Sequence, residues 1–241
     1  MLFYLDDKEF GRFFINTRRG MTRVSFHWKN GQLYMALPPG VPKDEVLRLL
    51  DKNREPLRQL RDKAAGAQVR YHAGQRIECL GCAVTLGEQS HNKNVVVFGV
   101  NPDNKNEFYV NVPAGTDFDS PEARKNIARI LLKLMHYEAE ERLLPFAQQV
   151  AQEVGAHPLR FEVGRGLRKL GHCTQQGVIQ LSRALMFLPQ PLARHIICHE
   201  LAHLTHMNHS AAFHALVNRY DGGKEKELEH AVRTFPFPIP R

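Results

Sequence analysis

Residues 199–209 of the chain read HELAHLTHMNH, a stretch of eleven residues with four histidines. Side chains four residues apart lie one above the other on a helix, so His199 and His203 can present two imidazoles to one metal ion. Glu200 is rotated by about 100° around the helix axis from His199, so it lies beside the helix face that carries the two histidines. A random chain of this composition would contain about 0.05 such five-residue matches, so the pattern favours a metal site over histidines that merely occupy a helix.

The residues before this motif favour a helix that carries it. Pro191 suits the first position of a helix, where its missing N–H is not needed. Apolar side chains then recur at helical spacing, at Leu192, Ile196, Ile197, Leu201 and Leu204. The sequence therefore predicts a helix from Pro191 to about His206.

A third ligand is predicted just beyond this helix. His209 comes six residues after the second histidine, which is not a whole number of turns, so the chain must turn to bring it back. Asn208 tolerates the left-handed conformation that ends a helix, and Ser210 can cap the next helix, which leaves His209 in the corner. His206 and His214 remain alternatives, since either faces the metal if the corner is built differently.

Three histidines around one ion predict a particular chemistry. Neutral imidazoles suit Zn²⁺, and a set of three protein ligands leaves the fourth position open for water. Glu200 can take a proton from the zinc-bound water and pass it to a leaving amine. The residues thus indicate a zinc-dependent hydrolase, with a peptide or protein as the leading substrate class.

Composition and charge bear on whether the protein binds nucleic acid, enters a membrane or is secreted. The chain has 241 residues and a formal net charge of +8, but its basic residues are scattered, which favours a solvated basic surface over a nucleic-acid interface. No apolar stretch is long enough to span a bilayer, and the first ten residues lack the pattern of a secretory signal. We therefore expect a cytoplasmic protein with no membrane partner. The sequence does not determine its oligomeric state.

The predicted elements divide the chain into a β-rich part, residues 1–115, and a mixed part, residues 116–241. In the first part the pattern predicts a turn at Asn30-Gly31, a helix over 43–63 that Pro56 kinks or splits, and strands at 13–15, 23–28, 33–37, 75–80, 95–100 and 107–111. The fold class is therefore α+β.

The second part is predicted to begin with a long amphipathic helix. Ser120 caps it, Pro145 interrupts it and Gly155 ends it. Short strands follow at 159–163, 167–170 and 178–181, and two more helices at 210–220 and 224–234 follow the metal helix. This part contains all the residues to which we assign chemistry.

At these residues the chain resembles the YgjP-like predicted metal-dependent hydrolases, which are related to the SprT-like and WLM zinc peptidases. The family signature is an HELxH helix followed by Asn-His-Ser and an aromatic residue, and here 208–210 read NHS before Phe213. Upstream, the family has a Trp-Gly-Ser-Cys motif before a short strand, where residues 170–173 of this chain read LGHC. Leu80-Gly81 is similar to a further family landmark.

The resemblance implies a zincin-like catalytic core, with the HExxH helix packed on a small sheet and a backing helix. It also implies His199, His203 and His209 as the ligand set and Glu200 as the catalytic residue. His172 replaces the family serine near the expected cleft. Its imidazole can donate a hydrogen bond to a developing oxyanion, although an ordinary loop histidine is the simpler interpretation.

Three other functions are consistent with parts of the sequence. The basic residues Arg165, Arg168 and Lys169 would suit a metal-dependent nucleotide pyrophosphohydrolase, and the net charge would suit a zinc protease that acts on nucleic acid. A non-catalytic zinc-binding module is the third. Cys79 and Cys82 have the spacing of half a zinc site or a redox pair, but without a second pair they are interpreted as core or turn cysteines.

Overall fold

A computed structural model of the chain describes residues 2–29, 31–66, 69–89 and 95–240. These residues form two compact units, Met1–Gln68 and Val69–Arg241. Both contain strands and helices, which confirms the mixed α+β class. Among the described helices, none is long and apolar enough to cross a membrane.

The first unit is a four-stranded sheet followed by two helices. Alternating apolar residues such as Phe13 and Ile15 place one face of the sheet in a core, where both side chains are fully buried. The strands are β1 (Leu2–Asp7), β2 (Gly11–Thr17), β3 (Ser25–Lys29) and β4 (Gln32–Leu37), in the order β1-β2-β4-β3. β2 and β4 are parallel, whereas the two outer pairs are antiparallel.

The predicted helix of the first unit is divided in two. The helices are α1 (Lys43–Lys52) and α2 (Arg54–Gly66), and Asn53 separates them. Pro56 therefore lies in the first turn of α2, where its missing N–H leaves no hydrogen bond unmade. A turn was predicted at Asn30-Gly31. Asn30 lies outside the described residues, and Gly31 has the positive φ of 74° that a tight turn requires.

The second unit begins with a sheet of the same arrangement. Its strands are β5 (Arg76–Cys79), β6 (Cys82–Glu88), β7 (Val97–Asn101) and β8 (Asn104–Val112), in the order β5-β6-β8-β7. β6 and β8 are parallel, and the outer pairs are antiparallel. The sequence patterns predicted six of the eight strands in these two sheets and missed β1 and β6.

The long helix of the second unit is continuous but changes its winding. Ser120 accepts a hydrogen bond from the N–H of Ala123 (3.2 Å) at its start, and Gly155 adopts a left-handed φ of 70° at its end. The segments are α3 (Pro121–Glu138), a π-helical turn (Ala139–Leu143) and α4 (Leu144–Val154). The wider turn comes just before Pro145, which has no N–H to donate and whose ring would crowd a regular helix.

The chain then forms a small sheet and the helices of the site. The elements are β9 (Arg160–Gly164), β10 (Gly171–Cys173), β11 (Val178–Ser182), a 3₁₀ turn (Arg183–Phe187), α5 (Gln190–Ala202), α6 (Ala211–Tyr220) and α7 (Glu225–Thr234). The strand order is β10-β11-β9, with β10 antiparallel and β9 parallel to β11. The predicted strand 167–170 is thus displaced, and β10 begins at Gly171.

A large core joins most of these elements in the second unit, and Phe213 and Val217 of α6 form a separate small cluster with Ala202. The large core contains Val84 and Val110 of the β5–β8 sheet, Leu131 of α3, Ile179 of β11 and Ile197 of α5. Residues 69–115, which the sequence patterns grouped with the N-terminal part, therefore share a core with the metal helix. The division of the chain into parts 1–115 and 116–241 stays a prediction.

Candidate metal centre

The corner predicted after the metal helix is present. α5 ends at Ala202, earlier than expected, and the N–H groups of Thr205 and His206 both donate to its carbonyl oxygen (3.1 and 3.0 Å). Ser210 then caps α6 by accepting a hydrogen bond from the N–H of Phe213 (3.4 Å). The connection between the two helices returns the chain to α5 and carries His209 with it.

Three imidazoles converge at this corner. His199, His203 and His209, here called the histidine triad, each offer one nitrogen, and these nitrogens all lie within 4.8 Å of one another. Nε2 of His199 and Nε2 of His209 are 3.2 Å apart. Among the described residues, this group of possible metal ligands includes neither His206 nor His214.

Phe213 holds the three rings together. Its side chain is fully buried, and its ring centroid lies 4.9, 4.5 and 4.8 Å from those of His199, His203 and His209. An aromatic ring at the start of α6 thus packs against every member of the triad. This contact supplies a physical role for the aromatic residue that follows Asn-His-Ser in the sequence signature.

The protonation of the rings suits a cation. Nδ1 of His203 lies 3.0 Å from the carbonyl oxygen of His206, which can only accept, so Nδ1 carries the proton and Nε2 keeps its lone pair. Burial, together with a smaller effect of the neighbouring histidines, lowers the pKa of His199 to about 4. Burial also lowers the pKa of His203. Both rings are therefore neutral near pH 7, as metal binding requires.

Glu200 is buried against strand β10. Only 6% of the residue is exposed, and the N–H of Cys173 donates a hydrogen bond to its carboxylate. A Cβ atom at Gly171 would lie 2.4 Å from Oε1 of Glu200, so the carboxylate occupies the space that a side chain would fill. The glycine of the LGHC segment is thus required for the position of Glu200, a reason that the motif alone does not reveal.

Burial also changes the acidity of Glu200. It raises the pKa of this carboxyl to about 7, while Lys169 and the N–H of Cys173 oppose part of the increase. A carboxylate with a pKa near neutrality can both accept and return a proton at that pH.

Comparison with known families assigns the chain to one of them. A family model described as YgjP-like, metallopeptidase domain, matches residues 22–230. The chain belongs to the YgjP-like family. It is a hydrolytic metalloenzyme of the metallopeptidase class, and this class implies a divalent metal ion.

Other comparisons add little to this assignment. The chain is similar to the protein in the crystal structure of the metallopeptidase zymogen of Pyrococcus abyssi abylysin. The match covers 37% of this chain and 90% of the abylysin chain, with 24% sequence identity and a TM-score of 0.34. A similarity at this TM-score carries no structural argument. No sequence among curated proteins matches the chain significantly.

The site of this YgjP-like chain opens into a cleft with a volume of about 560 Å³. Strand β10 and the residues before it form one wall, and α5, α6 and α7 form the others. The lining residues include Arg168, Lys169, Gly171, His195, His199, Glu200, His209, His214, Glu225, Glu229, Val232 and Arg233. Basic and acidic side chains are both present, so the cleft is not a dedicated anion site.

The other residues considered from the sequence lie in different surroundings. His172 is exposed on β10 and lies near enough to His203 to lower its pKa, so its predicted oxyanion role stays a prediction. Cys79 and Cys82 are free thiols that face each other across the two-residue turn between β5 and β6. They are the end residues of these strands, and they pack in the core of the second unit, Cys82 buried and Cys79 partly buried.

Two further histidines of the cleft are held by carboxylates, and sequence reasoning missed both pairs. Nδ1 of His195 lies 2.7 Å from Oδ2 of Asp221, and Nδ1 of His214 lies 2.6 Å from Oε1 of Glu225. The partners are 26 and 11 residues apart in the chain, so no local pattern signals them.

Proposed function

We propose that the protein is a zinc-dependent peptidase in which the histidine triad holds the ion and Glu200 is the general base. The observation that carries the proposal is the convergence of three imidazole nitrogens within 4.8 Å of one another, next to the buried carboxylate of Glu200 at the edge of the cleft. The zincin-like arrangement of the HExxH helix on a small sheet is part of this proposal.

The donor set fits zinc. Two nitrogens that each bind one zinc ion at about 2.0–2.1 Å lie roughly 3–4 Å apart, and the separation of 3.2 Å between His199 and His209 falls in that range. Each donor is an imidazole nitrogen, a ligand that zinc commonly uses in catalytic sites. The carbonyl oxygen of His206 orients His203 from behind, as metal-bound imidazoles generally require.

The chemistry is then divided between the ion and Glu200. A bound zinc ion supplies Lewis-acid chemistry, since it polarises a carbonyl oxygen and makes water more acidic. Glu200 accepts a proton from the water that attacks the scissile carbonyl carbon, and later transfers that proton to the leaving amine nitrogen. Its pKa of about 7 suits both steps at neutral pH.

Strand β10 supports a peptide substrate. The carbonyl oxygen of Leu170 and the N–H of Thr174 both bond to β11, so the N–H and C=O groups of Gly171 and the C=O of Cys173 point away from that strand. The N–H of Cys173 points the same way and donates to Glu200. β10 is at the edge of its sheet. An extended peptide can pair with such an edge, directly beside Glu200.

The first test is metal content. We expect about one zinc ion per chain in protein purified without added metal, and a sharp loss in His209→Ala, because three protein ligands are needed to hold the site. His157→Gln is the matched control, since this histidine is exposed in the loop before β9. Wild-type protein that stays free of zinc after zinc is offered would contradict the proposal.

The second test is activity. Zinc-loaded wild type should cleave unfolded casein, and Glu200→Gln should lower the rate by about 10²–10⁴-fold while keeping its zinc. Nucleoside triphosphates serve as the non-peptide substrates. Hydrolysis of triphosphates in the absence of casein cleavage would favour the pyrophosphohydrolase instead.

A further inference from the structure

His195 is a buried histidine that nevertheless meets the cleft. It lies one helical turn before His199 on α5, on the side of the helix that carries the triad. Its side chain is only 3% exposed, yet it is part of the cleft lining together with Glu200. The small exposed part of the ring therefore faces the space where a substrate would bind.

Asp221 fixes the orientation of this ring. Its carboxylate is 1% exposed and lies 2.7 Å from Nδ1 of His195. A carboxylate can only accept, so Nδ1 donates to it and Nε2 is the nitrogen left for other partners. Among the described residues, Nε2 has no hydrogen-bond partner and is not a fully enclosed atom.

His195 is not a fourth member of the triad. A histidine held from behind by a carboxylate has the orientation typical of a metal ligand. However, the nitrogens of His195 do not belong to the group that lies within 4.8 Å. The ring therefore lines the same cleft as His199 and His209 without joining the group of possible ligands. A substrate bound in the cleft would meet this ring.

Nε2 of His195 is a hydrogen-bond donor when the ring carries a proton on both nitrogens. In that form Nδ1 still donates to the Asp221 carboxylate, 2.7 Å away, and the positive ring lies beside this buried carboxylate. Nε2 then presents a donor to the cleft. A preorganised donor of this kind stabilises negative charge on an oxygen in the transition state.

We infer that His195, oriented by Asp221, is a further catalytic residue, which donates a hydrogen bond from Nε2 to the scissile carbonyl oxygen as negative charge develops. The inference rests on the proposed peptidase function. Asp221 acts through His195 and is a positioning residue. The pair would supply the transition-state contact that the triad and Glu200 do not provide.

The kinetic test compares His195→Gln with wild type and with His157→Gln, all as zinc-loaded full-length protein. The substrate is a quenched fluorescent peptide that spans a cleavage site of casein. We expect kcat to fall about 10²–10³-fold in His195→Gln, as when one oxyanion donor is removed, with zinc content and KM nearly unchanged. His157→Gln should match wild type.

The binding test separates the transition state from the ground state. The probe is a phosphonamidate analogue of the same peptide, whose tetrahedral anionic phosphorus group mimics the transition state. His195→Gln should weaken binding of this analogue by about the same factor by which it lowers kcat/KM. Binding of the substrate peptide is measured in Glu200→Gln, which does not cleave it, and adding His195→Gln to that variant should leave the affinity unchanged. A purely structural role would not discriminate between the two ligands.

Asp221→Asn provides the test of positioning. An asparagine oxygen can still accept from Nδ1, but the negative charge is lost, so kcat should fall while zinc stays bound. Combined with His195→Gln it should add no further loss, because both changes remove the same contact. Additive losses would contradict the positioning role.

The outcomes distinguish the two proposals. An active wild type, an inactive Glu200→Gln and a His195→Gln variant with near-normal kcat would overturn the role of His195 alone. Loss of zinc from His195→Gln would also overturn it, since the residue would then act through the metal site. A wild type that cleaves no peptide would instead contradict the proposed function.

Discussion

The two four-stranded sheets of this chain have the same strand order but different surroundings. In each sheet two hairpins are joined by a parallel pair, β2 with β4 in the first and β6 with β8 in the second. The first sheet forms a core with α1 and α2, built on residues such as Phe13 and Leu50. The second shares its core with α3, the small sheet and the metal helix.

This difference teaches that strand topology does not decide where chemistry occurs. Both sheets bury one apolar face, but only the core of the second extends to the elements that carry the triad. No internal repeat is apparent in the sequence, because strand pairing requires a matching alternation of apolar and polar residues rather than matching identities. If the two cores are separate, a cavity in one unit leaves the stability of the other unchanged.

The largest effects are expected from two fully buried phenylalanines, Phe13 in the core of the first unit and Phe213 in the small cluster with Ala202 and Val217 beside the triad. Phe13→Ala and Phe213→Ala should each lower the free energy of unfolding by about 3–5 kcal/mol, since each leaves a large cavity. Only Phe213→Ala should also lose zinc, because Phe213 packs against all three rings of the triad.

The single tryptophan separates these two outcomes. Trp28 lies in the first unit with its ring centroid 6.0 Å from that of Phe10. Urea unfolding followed by Trp28 fluorescence should shift in Phe13→Ala and stay unchanged in Phe213→Ala, with zinc measured on the same samples. A shift of the Trp28 transition in both variants would show that the first unit and the region around Phe213 unfold together.

An intermediate effect is expected from Gly171→Ala. The new methyl group would overlap the carboxylate of Glu200, whose Oε1 lies 2.4 Å from the Cβ position, so the general base must move. We expect activity to fall about 10²-fold with zinc retained, as for a catalytic group displaced by about 1 Å. Peptide hydrolysis and metal content measure the two effects.

Gly166→Ala is the matched control for this change. A Cβ atom at Gly166 would meet nothing within 4 Å, and the residue precedes the same strand. Equal losses in both variants would mean that the segment before β10, rather than the approach of Glu200, sets the activity.

The smallest effect is expected in the first unit, at Asp7. Hydrogen bonding to Arg54 lowers the pKa of Asp7 to about 2 from its usual 3.8. A lowered folded-state pKa contributes stability that is full above about pH 5 and is lost as the pH falls towards 2. Asp7→Asn should therefore cost about 1–2 kcal/mol at pH 7 and almost nothing near pH 2.

The measurement is urea unfolding by Trp28 fluorescence at several pH values. Asp51→Asn is the control, because this carboxylate also bonds to Arg54 (2.8 Å) but its side chain is 65% exposed. We expect it to cost less than about 0.5 kcal/mol. A pH-independent cost of Asp7→Asn would contradict the assigned origin of its effect. Zinc content should not change in either variant.

Much of the site follows from local rules. The period of the helix aligns His199 and His203, and a capping serine after a short turn returns His209 to them. The roles of these residues stay predictions, but their convergence follows from the spacing.

Two strands were not predicted from the sequence. In β1 the acidic residues Asp6 and Asp7 obscure the apolar pattern. The start of β6 was interpreted as a turn because of Cys79, Cys82 and the glycine between them. Both are strands through pairing with neighbours that periodicity does not specify.

The sequence alone determined which residues can share a helix face, where the helices are capped and what kind of ion the donors suit. These properties depend on neighbours within one or two turns, which are visible in the chain order. Tertiary structure alone decided that Gly171 makes room for Glu200 and that Asp221 holds His195. Each of these contacts joins residues more than 25 positions apart, and only the packing of α5 against β10 and α6 brings them together.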